Sequence, residues 1–280
     1  MKRSLGLSIL IGLFLLSNTT VNYSLAQAAN SVYRQGIEYA SGGRFQEAAD
    51  WFKDNLKNNK SDATSKSSLA VIKDLDGGKI TQEYAESFFT GLNFLQNSKI
   101  TEGLKELQKA IAANPGYPRP YNVVGMVYAS QGDNAKAVTY FQQAIEIDPQ
   151  YSQACFNLAA LYQSLAEPLD ALKYYEKAIS LEPEFSEAAI NLAAIYASLG
   201  KYPEAIKYYQ KAIELDRDNP EVYYNLGLVY FMSDQLVKFK DNLIKAQALY
   251  QEKNDTLGLE KVAEYMKKIK DIENKYRQAK

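Results

Sequence analysis

The chain has 280 residues, 46% of them apolar, and its 32 basic and 33 acidic side chains nearly cancel. This balance provides no electrostatic footprint for nucleic acid. The absence of histidine removes the commonest general base and metal ligand, and a single cysteine, Cys155, excludes an intrachain disulfide and a thiolate metal cluster. Composition therefore favours a non-enzymatic protein with no cofactor and no bound metal.

Residues 1–28 have the layout of a secretory signal peptide. Lys2 and Arg3 precede an apolar run from Leu5 to Leu16, and Ala26-Gln27-Ala28 places small residues where a signal peptidase reads them. The run is short for a membrane span, and an uncleaved anchor is the alternative. We expect an exported protein of the cell envelope, periplasmic or extracellular, that meets a membrane only through an uncleaved signal sequence.

Two segments follow before the most regular part of the chain. Residues 29–62 are predicted to form a divergent helix pair, with small and large residues in alternation: Gly36, Tyr39, Gly43, Phe45, Ala48 and Phe52. Residues 63–83 are predicted to be a half-repeat or helical joint with a turn at 76–78. The stretch DLDGGKIT at 74–81 resembles part of a calcium loop, but neither register places acids and glycine as an EF-hand requires, which favours a plain turn.

Residues 84–253 divide without a gap into five frames of 34 residues: 84–117, 118–151, 152–185, 186–219 and 220–253. Small residues recur at positions 8, 20 and 27 of these frames, except for Phe239 at position 20 of the last frame, and large apolar residues recur at positions 11 and 24. The spacing of three to four residues predicts two amphipathic helices in each frame, separated by a turn and ended by proline in the first three frames. Ser152, Ser186 and Asn219 are candidate N-caps, and Pro220 suits a first helical position.

This pattern resembles the tetratricopeptide repeat family, whose repeat is a helix–turn–helix of 34 residues. The resemblance implies an all-α, right-handed superhelical α-solenoid, in which stacked copies share one continuous core. Residues 254–280 are predicted to be a C-terminal capping helix with a charged outer side, which a solenoid end requires.

The resemblance also implies that the first helices line a concave groove, with positions 2, 5, 9 and 12 facing it. The predicted partner-binding residues are Phe88, Leu92, Asn122, Met126, Phe156, Asn157, Ala160, Ile190, Asn191, Ala194, Tyr224, Asn225, Leu228 and Phe231. Five of them, at or near one equivalent position, are expected to form a line that points away from the core: Phe88, Met126, Phe156, Ile190 and Tyr224. Tyr162 and Tyr196, at position 11, are expected in the core.

The groove predicts an interaction scaffold that binds an extended or helical segment of a protein partner. No frame carries lysine at position 5 or asparagine at position 9, so the clamp that some relatives use for chaperone C-termini is not expected. Two alternatives stay open: the chain's own repeats or N-terminal part cover the apolar strip, or the protein self-assembles into a structural element as a homo-oligomer. The 22 tyrosines are explained by packing, with a carbohydrate-binding face as a minor alternative.

Overall fold

The computed structural model describes residues 31–58 and 62–278, and every regular element within these ranges is an α-helix. The helices are α1 Ser31–Ser41, α2 Phe45–Asn58, α3 Ala63–Asp76, α4 Gln82–Gln96, α5 Ile100–Ala113, α6 Pro118–Ser130, α7 Asn134–Ile147, α8 Ser152–Ser164, α9 Pro168–Leu181, α10 Ser186–Ser198, α11 Tyr202–Leu215, α12 Pro220–Met232, α13 Leu236–Glu252 and α14 Thr256–Gln278. The predicted all-α helical repeat fold is confirmed. No helix among the described residues is long and apolar enough to cross a membrane, and the signal peptide predicted for 1–28 lies outside them.

Each of the five frames contains two helices whose turn ends in a left-handed residue. Position 15 has a positive φ in every frame: Ser98, Gly132, Ala166, Gly200 and Asp234. Asn219 caps α12 by accepting a hydrogen bond from the backbone N–H of Glu221, and Pro220 opens that helix, as predicted. The caps expected at Ser152 and Ser186 are wrong, because α8 and α10 begin at these serines and the preceding aromatic residues occupy the cap position without a side-chain hydrogen bond.

The repeated small and large residues form the core of the frames. Position 20 is buried in every frame, as are positions 24 and 27. At Gly125, position 8 of its frame, an added Cβ would lie 2.8 Å from two ring carbons of Phe141, so the small residue lets two helices approach closely. Packing at native density requires such fitted pairs.

The helices form two compact units. In the unit that ends at Ala166, α1 packs directly on α4, as consecutive first helices do, while α3 packs beside α2. The helix α3 is therefore an additional helix between two helix pairs. Asp62 caps it by accepting from the backbone N–H groups of Thr64 and Ser65, and Gly78, with a φ of +69°, turns the chain after it.

The unit that begins at Glu167 ends in α14, which packs on α12 and α13. Val262 is fully buried on its inner side, and the ring of Tyr265 lies 6.0 Å from that of Phe239. An added Cβ at Gly258 would lie 2.2 Å from a ring carbon of Tyr250, so the first turn of α14 crosses this ring closely. The helix thus covers the apolar side of the last pair.

Candidate partner-binding surfaces

In the first unit, the neighbouring first helices α6 and α8 carry five of the predicted residues, which we call the α6/α8 surface: Asn122, Met126, Phe156, Asn157 and Ala160. Met126, Phe156 and Ala160 are half-buried, whereas Asn122 and Asn157 are buried. The ring of Phe156 and the thioether of Met126 are therefore partly exposed to solvent, whereas the amides of Asn122 and Asn157 beside them are buried.

The two amides join the helices. Asn157 Nδ2 donates to Asn122 Oδ1 over 2.9 Å, and Gln153 Nε2 donates to Asn157 Oδ1 over 3.2 Å. Asn122 Nδ2 donates only to the thioether of Met126, at 3.8 Å. Sulfur is a weak acceptor, so the amide donors of Asn122 are poorly used in the free chain. Asn157, by contrast, uses both its amide nitrogen and its amide oxygen in hydrogen bonds within the chain.

Phe88 and Leu92 of the first unit differ from this surface. Phe88 is 2% exposed, and its ring stacks 6.0 Å from that of Tyr84 and meets that of Phe89 edge-on at 5.5 Å. Leu92 is half-buried against the same hydrophobic cluster, which includes side chains of α3. The expectation that Phe88 points away from the core is wrong, because the inserted segment adds apolar side chains to this end of the unit.

In the second unit, α10 and α12 carry the remaining predicted residues. Ile190, Asn191, Asn225 and Phe231 are half-buried, and the ring of Phe231 lies 4.9 Å from that of Phe239. Asn191 hydrogen-bonds the hydroxyl of Tyr175, so its amide already has a partner within the chain.

Three of the predicted residues on these helices are covered: Ala194, Tyr224 and Leu228. The ring of Tyr224 meets that of Tyr265 at 6.1 Å, and Lys261 bonds Glu221 at 2.8 Å. Both partners belong to α14. The expectation of an exposed Tyr224 is therefore wrong, because the terminal helix occupies this side of α12.

The two position-11 tyrosines differ in burial. Tyr196 is buried, and its hydroxyl donates to Glu176 of the preceding repeat. Burial and this hydrogen bond both raise the pKa of Tyr196 above its ordinary value. Tyr162 is half-buried. The core prediction therefore applies to Tyr196 more fully than to Tyr162.

A polar network at the start of α6 escaped the sequence analysis. The hydroxyl of Tyr117 donates to Asp74 in the last turn of α3, and Arg119 Nη1 donates to Ser67 on the same helix over 2.9 Å. Burial opposes ionisation of Asp74, but Tyr117 and Lys79 together hold its carboxyl pKa below the ordinary value. Burial and the hydrogen bond to Asp74 raise the pKa of Tyr117 to about 12. Contacts across some forty residues carry no periodic signal in the sequence.

The remaining candidate sites have structural rather than ligand-binding surroundings. Lys79 pairs with Asp74 over 2.9 Å in the segment 74–81, which does not meet the residue pattern of an EF-hand calcium loop. Cys155 is fully buried, as expected for position 4. Among the described residues, no group of three or more acids and cysteines is placed to hold a metal ion.

Comparisons with known proteins support the repeat assignment. Models of the tetratricopeptide repeat match residues 119–182 and 174–207, and a further TPR repeat model matches residues 193–234. No curated protein sequence shows significant similarity to the chain.

Similar structures have the same fold at low identity. The crystal structure of the MamA protein is 19% identical and has a TM-score of 0.55, over 62% of this chain and 96% of that one. PilF of Pseudomonas aeruginosa is 16% identical with a TM-score of 0.58, over 86% and 99%. YrrB, described as a TPR protein with an unusual peptide-binding site, is 20% identical with a TM-score of 0.54, over 77% and 99%. The repeat models together match residues 119–234, and this part of the chain consists of tetratricopeptide repeats.

Proposed function

We propose that the protein is a non-enzymatic interaction scaffold outside the cytoplasm, and that the α6/α8 surface binds a segment of a protein partner. The fold supports the general role, since repeats of this kind serve as protein-binding scaffolds, and YrrB carries a peptide-binding site. The signal peptide predicted for residues 1–28 supports the location, and PilW, a structural neighbour at 16% identity, is a type IV pilus biogenesis factor.

The observation that carries the proposal is the weak bond from Asn122 to Met126. A backbone carbonyl is a far better acceptor than a thioether, so a bound segment gains a hydrogen bond when it displaces the Met126 side chain. The half-buried ring of Phe156 supplies an apolar anchor on the next helix. Aromatic anchors beside polar groups dominate the energy of such interfaces.

Site-specific photocross-linking tests the surface. A benzophenone amino acid replaces Met126 in the exported protein, and the same probe at the exposed Leu257 is the control. We expect the probe at Met126 to give discrete protein adducts in an envelope extract that the probe at Leu257 does not. Adducts that are identical for both probes, or a retained glycan with no protein, contradict the proposal.

Once a cross-linked segment is identified, its affinity is measured for Phe156→Ala and for Asn122→Ala. Loss of the aromatic anchor is expected to weaken binding by about 1–3 kcal/mol, as for buried aromatic anchors at other interfaces. Thermal unfolding of each variant separates this effect from a loss of fold. Unchanged affinity in a stable Phe156→Ala variant contradicts the site. N-terminal sequencing of the exported protein tests cleavage after Ala28.

Self-assembly is a second candidate role, and the distribution of exposed apolar side chains favours it. Among the described residues, six of the seven exposed large hydrophobic side chains belong to the second unit: Leu169, Leu215, Leu236, Val237, Ile244 and Leu257. This excess of exposed apolar side chains in one unit favours an interaction surface there. Light scattering over a range of protein concentrations tests this role, and a strict monomer contradicts it.

A further inference from the structure

Exposed apolar side chains of the second unit recur at one equivalent position in three consecutive repeats. Leu169 is 70% exposed and Val237 is 76% exposed, and both lie at position 18 of their frames, in the first turn of α9 and α13. Pro203 is exposed at the same position of α11. Equivalent positions of stacked repeats lie along one side of a solenoid, so these three side chains form a row.

Charged residues beside the row reverse their sign from its first repeat to its last. At position 19, Asp170 of α9 corresponds to Lys238 of α13. At position 22, one helical turn beyond the row, Lys173 of α9 corresponds to Asp241 of α13. All four side chains are exposed. We call the row and these four residues the α9/α11/α13 face.

Consider a second copy of the chain related to the first by a two-fold axis parallel to these helices. The second copy presents its repeats in the reverse order, while each repeat position stays at the same height along the helix axis. Applied to this face, the two-fold axis places Asp170 opposite Lys238 of the second copy, and Lys173 opposite Asp241 of that copy. Leu169 then meets Val237 of the second copy. The face is thus complementary to itself in charge and in apolar contact, which is the condition for a two-fold symmetric interface.

The middle repeat is compatible with this symmetry. Pro203 lies at the axis and meets its own equivalent. Glu204 and Lys207 are three residues apart on α11 and are both exposed. Across the axis each lies opposite its own equivalent, which is a like charge, and has the opposite charge of the second copy one helical turn away, so the two contributions offset each other.

We propose that the α9/α11/α13 face is the contact surface of a two-fold symmetric dimer of this chain. The inference rests on self-assembly, the second candidate role, and is independent of partner binding at the α6/α8 surface. A row of small apolar contacts flanked by charges belongs to the small, transient class of interfaces, below about 1,200 Å² of total buried surface. The dimer is accordingly weak and sensitive to salt.

Charge reversal tests the pairing. Sedimentation equilibrium of the full exported chain measures the dimer dissociation constant for the wild type, Lys173→Glu, Asp241→Lys and the double variant. Each single change places two like-charge pairs in the dimer, and we expect about tenfold weaker dimerisation. The double change restores opposite charges at both sites and is expected to return the constant to within about threefold of the wild type.

The apolar row is tested with a matched control. Leu169→Ser and Val237→Ser are expected to weaken the dimer about tenfold or more, whereas Leu257→Ser, at an equal exposure of 70% on α14, leaves it unchanged. Circular dichroism confirms that the variants fold.

The outcomes separate the proposals. A dimer that tolerates the charge and serine variants overturns this face but leaves self-assembly standing. A monomer at every concentration overturns both. A third outcome is a chain that stays monomeric, co-sediments with phosphatidylglycerol vesicles and loses this binding in the Leu169→Ser variant. That outcome assigns the row to a lipid surface and also overturns the dimer.

Discussion

The close approach of Gly125 to Phe141 predicts that one glycine-to-alanine change destabilises the protein, while the same change at an equivalent position does not. Both Gly125 and Gly227 occupy position 8 of their frames, within the helices α6 and α12. An added Cβ at Gly125 would lie 2.8 Å from two ring carbons of Phe141, which is fully buried and cannot move aside freely. At Gly227 the nearest atom is Asn242 Cβ at 3.4 Å, an ordinary contact.

Both substitutions gain helix propensity, but only Gly125→Ala overpacks the core. Alanine in a helix interior is favoured over glycine by about 0.8–1.0 kcal/mol. Overpacking a tight core costs about 1–3 kcal/mol. We therefore expect Gly125→Ala to lower the free energy of unfolding of its repeat by about 1 kcal/mol, and Gly227→Ala to raise that of its own repeat by up to about 1 kcal/mol.

Hydrogen exchange of peptides from α6 and from α12 measures each repeat separately, which suits a repeat protein whose parts open locally. A second substitution checks the cause. If the ring of Phe141 is the obstacle, Phe141→Leu costs less in the Gly125→Ala background than in the wild type. Two changes of the same sign and size at Gly125 and Gly227 would refute the reasoning, because the helix propensity alone would then explain both.

Three further changes test other parts of the structure. Gly258→Ala places a Cβ against the buried ring of Tyr250, so hydrogen exchange in α13 and α14 should show protection reduced by about 1–3 kcal/mol. Asp74→Asn removes a carboxylate whose pKa is lowered by Tyr117 and Lys79 against the cost of burial. Urea titrations should show a loss of stability that is full at neutral pH. This loss should shrink as the pH falls through and below 3.8, the pKa of the carboxyl in the unfolded chain. Ala166→Gly should raise stability by about 0.5–1 kcal/mol in thermal unfolding, because Ala166 has a φ of +58°.

The repeat itself is readable from the sequence, because a helix pair of fixed length imposes a fixed period. The spacing of small and large residues places two helices in each frame, and the residues at positions 20, 24 and 27 are buried as that spacing predicts. Asn219 and Pro220 mark a helix start by chemistry that is local to a few residues. Each of these features depends on residues that are close in the chain or on the adjacent repeat, and contacts of both kinds recur with the 34-residue spacing of the sequence.

The exposure of the predicted binding residues depends on segments that break the period. Phe88 belongs to the cluster to which the inserted helix α3 contributes, and Tyr224 is covered by Tyr265 of the terminal helix α14. Neither α3 nor α14 has a counterpart in the repeat. The equivalence of positions therefore predicts five side chains in a line that face the solvent, whereas in the structure only Met126, Phe156 and Ile190 of these five are partly exposed. The sequence by itself determined which residues build the helix pairs, whereas the tertiary structure alone decided which of their outer residues reach the solvent, since contacts between distant and unrepeated segments leave no spacing to read.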